Sequence, residues 1–193
     1  MRPELRESII ATAVALFNER GYGSVSLRDI SGALGISVGN LNYYFAKKQD
    51  LLRAIMERNF LLTAFSEEVT TLSQLHTLIT RMLDSLSAHA FYFREPALST
   101  LNHQGEENVA QLYHIFLQAL ERLQEQGLFR SGMTGTVRDH LVRVLMLSHL
   151  AWVQPNPVPS MTREEFLLAH WTLLTPYLTD KGLAEYRSTI PGA

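Results

Sequence analysis

Between Arg28 and Lys48 the chain gathers side chains suited to reading and gripping a polyanion rather than to making or breaking bonds. Asn40 and Asn42 each carry a donor and an acceptor on one planar amide, the complement of what an adenine edge offers. Tyr43 and Tyr44 end in hydroxyls that can donate to phosphate oxygens, with rings that can pack on sugars. Lys47 and Lys48 place two positive charges near the start of a helix, whose free amides also attract phosphate, and Arg28 can act in the same way from the preceding helix. Gly39 costs about 1 kcal/mol of helix propensity, which makes sense where backbone must come close to a duplex. Plainer readings stand beside these: Tyr44 and Phe45 as packing residues, and Lys47 and Lys48 as a solvated helix start.

Three short elements must hold these residues. Leu5, Ile9, Ala13, Leu16 and Phe17 recur at spacings of three and four, which predicts an amphipathic helix closed by Gly21 in a left-handed cap. Ser26 with Asp29 gives a shortened capping box for a second helix, along which Leu27, Ile30 and Leu34 repeat. Gly35 allows the positive φ of a tight turn, Ile36 can plug the angle between helices, and Ser37 can cap a third helix from Val38 to Tyr44. Ser31 supplies the small residue that a helix crossing needs. Ile30, Leu27, Leu34 and Leu41 would then face inward, leaving Val38, Gly39, Asn40, Asn42 and Tyr43 turned out toward a groove.

The charge balance agrees with this arrangement. Residues 1–53 hold seven Lys/Arg against five Asp/Glu, and the remainder holds ten against fourteen, for a net charge of -2. A basic lobe is joined to an acidic one. No cysteine occurs, which excludes a disulfide framework, a thiolate nucleophile and a Cys-ligated zinc. No stretch reads as a signal peptide or a bilayer span, so a cytoplasmic protein without membrane contact is expected.

Beyond the motif the pattern stays helical. From Gln49 onward, the apolar positions from Leu51 to Leu62 read as a long helix leading out of the small lobe, and those from Leu75 to Leu86 as another. Pro96 restarts the chain, and Val109 to Gln126 forms a further helix before Gly127. Val137 to Val153 is apolar on more than one side, and Thr162 with Glu165 opens a last long helix to about Leu178. Gln154 to Pro159, with alternating prolines, predicts a surface loop. The fold class is therefore all-α: an N-terminal three-helix helix-turn-helix domain over residues 1–48, and a larger helical ligand-binding and dimerisation bundle over 49–193.

All seven histidines lie beyond the motif: His76, His89, His103, His114, His140, His149 and His170. None stands in an HExxH or ExxH spacing or pairs with another at helical spacing, so no metal or cofactor is expected. His149 and Trp152 offer a polar handle and a wall for an organic ligand, or else core or dimer packing. Met82, Leu86, His89, Phe93, Tyr113, Phe116 and Met146 could line a cavity among the middle helices, or form plain core. An all-α enzyme finds no support: there is no nucleophile elbow, glycine-rich phosphate loop or metal spacing. A dimeric helical protein-interaction module is the alternative to a DNA-binding regulator.

The run Ser26-Leu27-Arg28-Asp29-Ile30-Ser31, then Leu34 to Phe45, then Lys48-Gln49-Asp50-Leu51, resembles the TetR/AcrR family of regulators over about the first quarter of the chain. Ser31 stands where that family usually has alanine, and Asn42 where an aromatic or aliphatic residue is frequent. The resemblance implies a homodimer that binds an operator in double-stranded DNA, represses transcription, and lets go when a small-molecule effector occupies the C-terminal domain. It also implies a four-helix dimer interface built from Val137–Val153 and Arg163–Leu178. The excess apolar surface of those two segments independently asks for a partner.

Overall fold

The computed structural model describes residues 3–57, 68–95, 98, 104–154, 161–190 and 192. Among these the secondary structure is helical apart from one isolated antiparallel bridge between Phe129 and Leu178. The chain divides into two compact units, one comprising Met1–Phe60 and Ser87–Glu107, the other Leu61–Leu86 and Asn108–Ala193.

The first unit contains α1 (Pro3–Arg20), α2 (Leu27–Ala33), α3 (Val38–Tyr44), α4 (Lys48–Met56) and the short α6 (Ala90–Arg94). Its helix ends follow local chemistry. Gly21 closes α1 at φ 82°, a left-handed conformation that glycine adopts without a Cβ penalty. The Ser26 hydroxyl accepts from the Asp29 amide at 3.2 Å, while the Asp29 carboxylate accepts from the Ser26 amide at 2.7 Å, completing the expected box. Ser37 caps α3 by accepting from the Asn40 amide at 3.1 Å. Between these helices Gly35 sits at φ 65°. Ile9, Ala13, Phe17, Ile30, Leu41, Leu51 and Ile55 make the core, and Ser31 is buried at the crossing with its hydroxyl on the Arg28 carbonyl at 3.0 Å. Leu27, Leu34 and Ile36 close its edges as half-buried residues.

The second unit contains most of α5 (Leu72–Ala88), together with α7 (Gln104–Glu125), α8 (Gly135–Trp152), α9 (Arg163–Leu174) and α10 (Asp180–Thr189). Thr134 and Thr162 cap α8 and α9, Thr162 in the reciprocal box with Glu165. The expected last helix to Leu178 needs correction. It ends at Leu174, passes through a 3-10 turn at Thr175–Tyr177, and gives way to the separate α10. Pro176 has no amide hydrogen to continue the ladder, and Thr179 starts the new helix by accepting from the Gly182 amide at 3.1 Å. Residues 58–62 of the expected continuation, Pro96 and residues 155–159 of the proline loop lie outside the described residues, and α4 ends at Met56 with Glu57 as its cap.

Candidate nucleic-acid interface

The third helix presents its polar face outward. Leu41 is fully buried and anchors it, whereas Gly39, Asn40, Asn42 and Tyr43 are exposed, Tyr43 by 72%. Val38 and Tyr44 are half-buried, and the rings of Tyr43 and Tyr44 meet edge to face with centroids 5.3 Å apart. Phe45 is buried and Arg6 lies over its ring at 5.3 Å, so its part is packing. A Cβ on Gly39 would meet only the Ser37 hydroxyl, at 3.9 Å. Nothing inside the protein therefore requires glycine there on steric grounds. Arg28, on α2, and Lys47, before α4, are exposed and stand within the same unit.

Lys48, expected to grip a phosphate, is half-buried and makes contacts within the protein. Its ammonium donates to the carbonyls of Tyr22 at 2.7 Å and Val25 at 2.8 Å, and lies 4.2 Å from the centroid of the Tyr22 ring. Burial lowers the pKa of this amine, and Glu95 opposes that effect by attraction. The lysine thus ties the start of α4 to the turn between α1 and α2, and so holds both ends of the motif in register.

The same turn is held from another direction. The Glu95 carboxylate accepts from the amides of Tyr22 at 2.5 Å and Gly23 at 3.4 Å. Asn18 donates to the Ala88 carbonyl at 2.6 Å and accepts from the Phe91 amide at 2.9 Å. The Phe91 ring packs 5.2 Å from Phe17. Sequence reasoning missed these residues because their partners stand about seventy positions away, and neither Asn18 nor Glu95 belongs to a local motif.

The residues expected to line an effector cavity are distributed between the units. His89 and Phe93 fall in the first unit, and both are half-buried. Met82, Leu86, Phe116, Met146 and His149 are buried in the second. His149 lies with Nδ1 2.7 Å from the Leu145 carbonyl and Nε2 3.2 Å from that of Ile79. A neutral imidazole has a single N–H, so it can donate to only one of these at a time. The His170 ring lies 4.6 Å away, with Nδ1 2.7 Å from the Phe166 carbonyl and Nε2 2.8 Å from the Ser148 hydroxyl. Burial pushes both imidazoles below their ordinary range, His170 to about 4. Half-buried Trp152 lies over Phe166 at 4.6 Å. Tyr113 stands apart, giving its hydroxyl to the Asp139 carboxylate of α8, which Arg143 also holds at 2.8 Å. Arg143 and Tyr113 keep the Asp139 carboxyl at about 2. No cluster of three potential metal ligands occurs among the described residues.

Residues 9–55 match the family model described as bacterial regulatory proteins, tetR family. Over 170 residues the chain is 27% identical to the probable HTH-type transcriptional regulator YttP of Bacillus subtilis, covering 81% of each chain. It is 25% identical over 165 residues to the HTH-type transcriptional repressor KstR2 of Rhodococcus jostii, covering 78% of this chain and 80% of that one. Among solved structures, a TetR-family transcriptional regulator from Marinobacter aquaeolei VT8 superposes with a TM-score of 0.77 at 21% identity, covering 99% of this chain and 100% of its own.

Proposed function

The chain belongs to the TetR family and is a DNA-binding transcriptional regulator rather than an enzyme, and from that premise we propose that it is a homodimeric repressor, relieved by a small organic effector. Residues 1–48 form the reading domain in this proposal, and residues 49–193 take the effector and make the dimer. The observation that carries the reading is the outward face of α3, where Gly39, Asn40, Asn42 and Tyr43 stand exposed on a helix fixed from behind by Leu41. Asn40 and Asn42 read base edges, Tyr43 and the Ser37 end of the helix meet the backbone, and Arg28, Tyr44 and Lys47 add phosphate contacts. The name of KstR2 as a repressor supports repression. A two-fold dimer sets its recognition helices about 34 Å apart, or a multiple of that, and so selects a near-palindromic site.

The switch is a two-state equilibrium. Effector occupancy favours a dimer whose recognition helices no longer match the operator, with a coupling of about 1–3 kcal/mol. Among the described residues no helix is long and apolar enough to cross a membrane, and the cytoplasm, where the operator is, is the proposed location.

A gel shift with the DNA upstream of the protein's own gene tests the reading. A salt-sensitive complex is expected, with Asn40→Ala and Asn42→Ala each narrowing the gap between operator and random duplex by about 1–3 kcal/mol. Equal affinity of the wild type for operator and random DNA would sink the assignment of α3 as the reading helix.

A further inference from the structure

Arg6 is the fourth residue of α1, and its guanidinium carbon lies 5.3 Å from the centroid of the Phe45 ring. Phe45 is buried and stands at the C-cap of α3, its amide donating to the Leu41 carbonyl at 3.0 Å. The ring is thus fixed to the end of the helix read above as the one that meets bases, and the arginine rests on it. A guanidinium over a ring engages it through its charge and keeps its five N–H donors for other partners. Among the described residues those donors have one charged neighbour, Glu7, at 3.8 Å, which is too long for a hydrogen bond. Both side chains are open to water, Arg6 by 34% and Glu7 by 55%, and an exposed pair of this kind contributes little.

The neighbours of Phe45 indicate what those donors are for. Tyr44 precedes it directly and Lys47 follows by two residues, a reach of at most about 7 Å along the backbone. Both are phosphate contacts in the reading above. We propose that Arg6 is a further DNA-contacting residue, which takes a backbone phosphate beside those met by Tyr44 and Lys47 while the Phe45 ring supports its guanidinium. The proposal rests on the placement of the duplex along α3 and adds α1 to the surface that meets it. Two phosphate oxygens match the fork of a guanidinium as they do not match a single ammonium. On binding, Arg6 exchanges its loose pairing with Glu7 for charge-assisted hydrogen bonds and keeps its contact with the ring. Backbone phosphates carry no sequence information, so Arg6 strengthens binding to every duplex alike. An arginine that only packs α1 against the end of α3 would change stability and leave the salt dependence of DNA binding as it was.

The test uses the full-length protein and two probes, a duplex it selects from a random pool and an unselected duplex of the same length, each titrated over a series of salt concentrations. Arg6→Gln is expected to weaken both by about five- to tenfold and to lower the slope of log affinity against log salt by about one. Arg6→Lys keeps the charge without the fork; its slope is expected to stay at the wild-type value while affinity falls about threefold. Urea unfolding establishes that each variant is folded. Should Arg6→Gln not fold, Arg6→Met, whose unbranched apolar chain can cover the Phe45 ring, takes its place as the neutral variant. An unaltered slope in a folded neutral variant would overturn the proposal and leave Arg6 as a packing residue. A loss confined to the selected duplex would overturn it too, since that is the mark of a base contact. A wild-type protein that selects no duplex would remove the reading of α3, and the proposal with it.

Discussion

Lys47 and Lys48 are neighbours of the same charge in different surroundings. Lys47 is exposed, while the ammonium of Lys48 is taken up by two carbonyls and a tyrosine face. Lys47→Ala is therefore expected to lower the slope of log affinity against log salt by about one. Lys48→Met should leave that slope nearly unaltered and cost about 2 kcal/mol of stability, from lost charge-assisted hydrogen bonds and cation–π contact. Salt titrations of operator binding alongside urea unfolding separate the two, and a slope change confined to the Lys48 variant would reverse the assignment. The sequence pattern marks both lysines at the right place in the chain. It says nothing of which one is occupied, because the Tyr22 and Val25 carbonyls that claim Lys48 come near only after α1 and α4 have packed.

Helices were legible wherever their ends are written in neighbouring residues. Ser26 with Asp29, Ser37, Gly35 and Thr162 with Glu165 all act within three or four positions, so periodicity and capping chemistry locate α2, α3 and the start of α9. The end of α9 was less legible, since Leu174 to Leu178 keeps an apolar pattern through a 3-10 turn that only Pro176 betrays. The following α10 depends on a close approach: a Cβ on Gly182 would lie 2.2 Å from the Leu128 carbonyl oxygen, a backbone atom that cannot swing aside. Gly182→Ala is expected to cost about 2 kcal/mol or more, seen as a lower midpoint in urea. The α8–α9 pair carries a different sensitivity. His149 and His170 are buried and neutral, and their folded pKa values lie below the ordinary 6.5, His170 near 4. Their contribution is complete above pH 6.5. It is lost as pH falls from there toward about 4, because the unfolded chain takes up protons that the buried rings refuse. Melting temperature should therefore fall between pH 7 and pH 5, and His170→Gln should make that fall smaller. An unchanged fall in the variant would show that other groups govern acid stability.

At the scale of the whole molecule, the exposed apolar side chains on α8 and α9 bear on the dimer proposed above. Val144, Leu147 and Leu173 remain exposed, Leu147 by 65%, although each belongs to a helix with a buried opposite face. If these residues meet in the proposed dimer, Leu147→Glu should leave the fold intact, shift sedimentation from dimer to monomer at micromolar concentration, and weaken operator binding by removing one of two half-site contacts. A sedimentation profile identical to the wild type would place the dimer elsewhere. The apolar excess was readable in the sequence; the way the chain partitions itself was not, because it depends on a segment returning from residue 87 to pack on α1. That return bears on modularity. A reading head excised at residue 57 and grafted onto a foreign sensor would leave behind Phe91 and Glu95, exposing the Phe17 ring and stripping the Tyr22 turn of its acceptor. New specificities would have to be exchanged by resurfacing α3 in place, or by moving both pieces of the first unit together, because that unit is assembled from two separate stretches of the sequence.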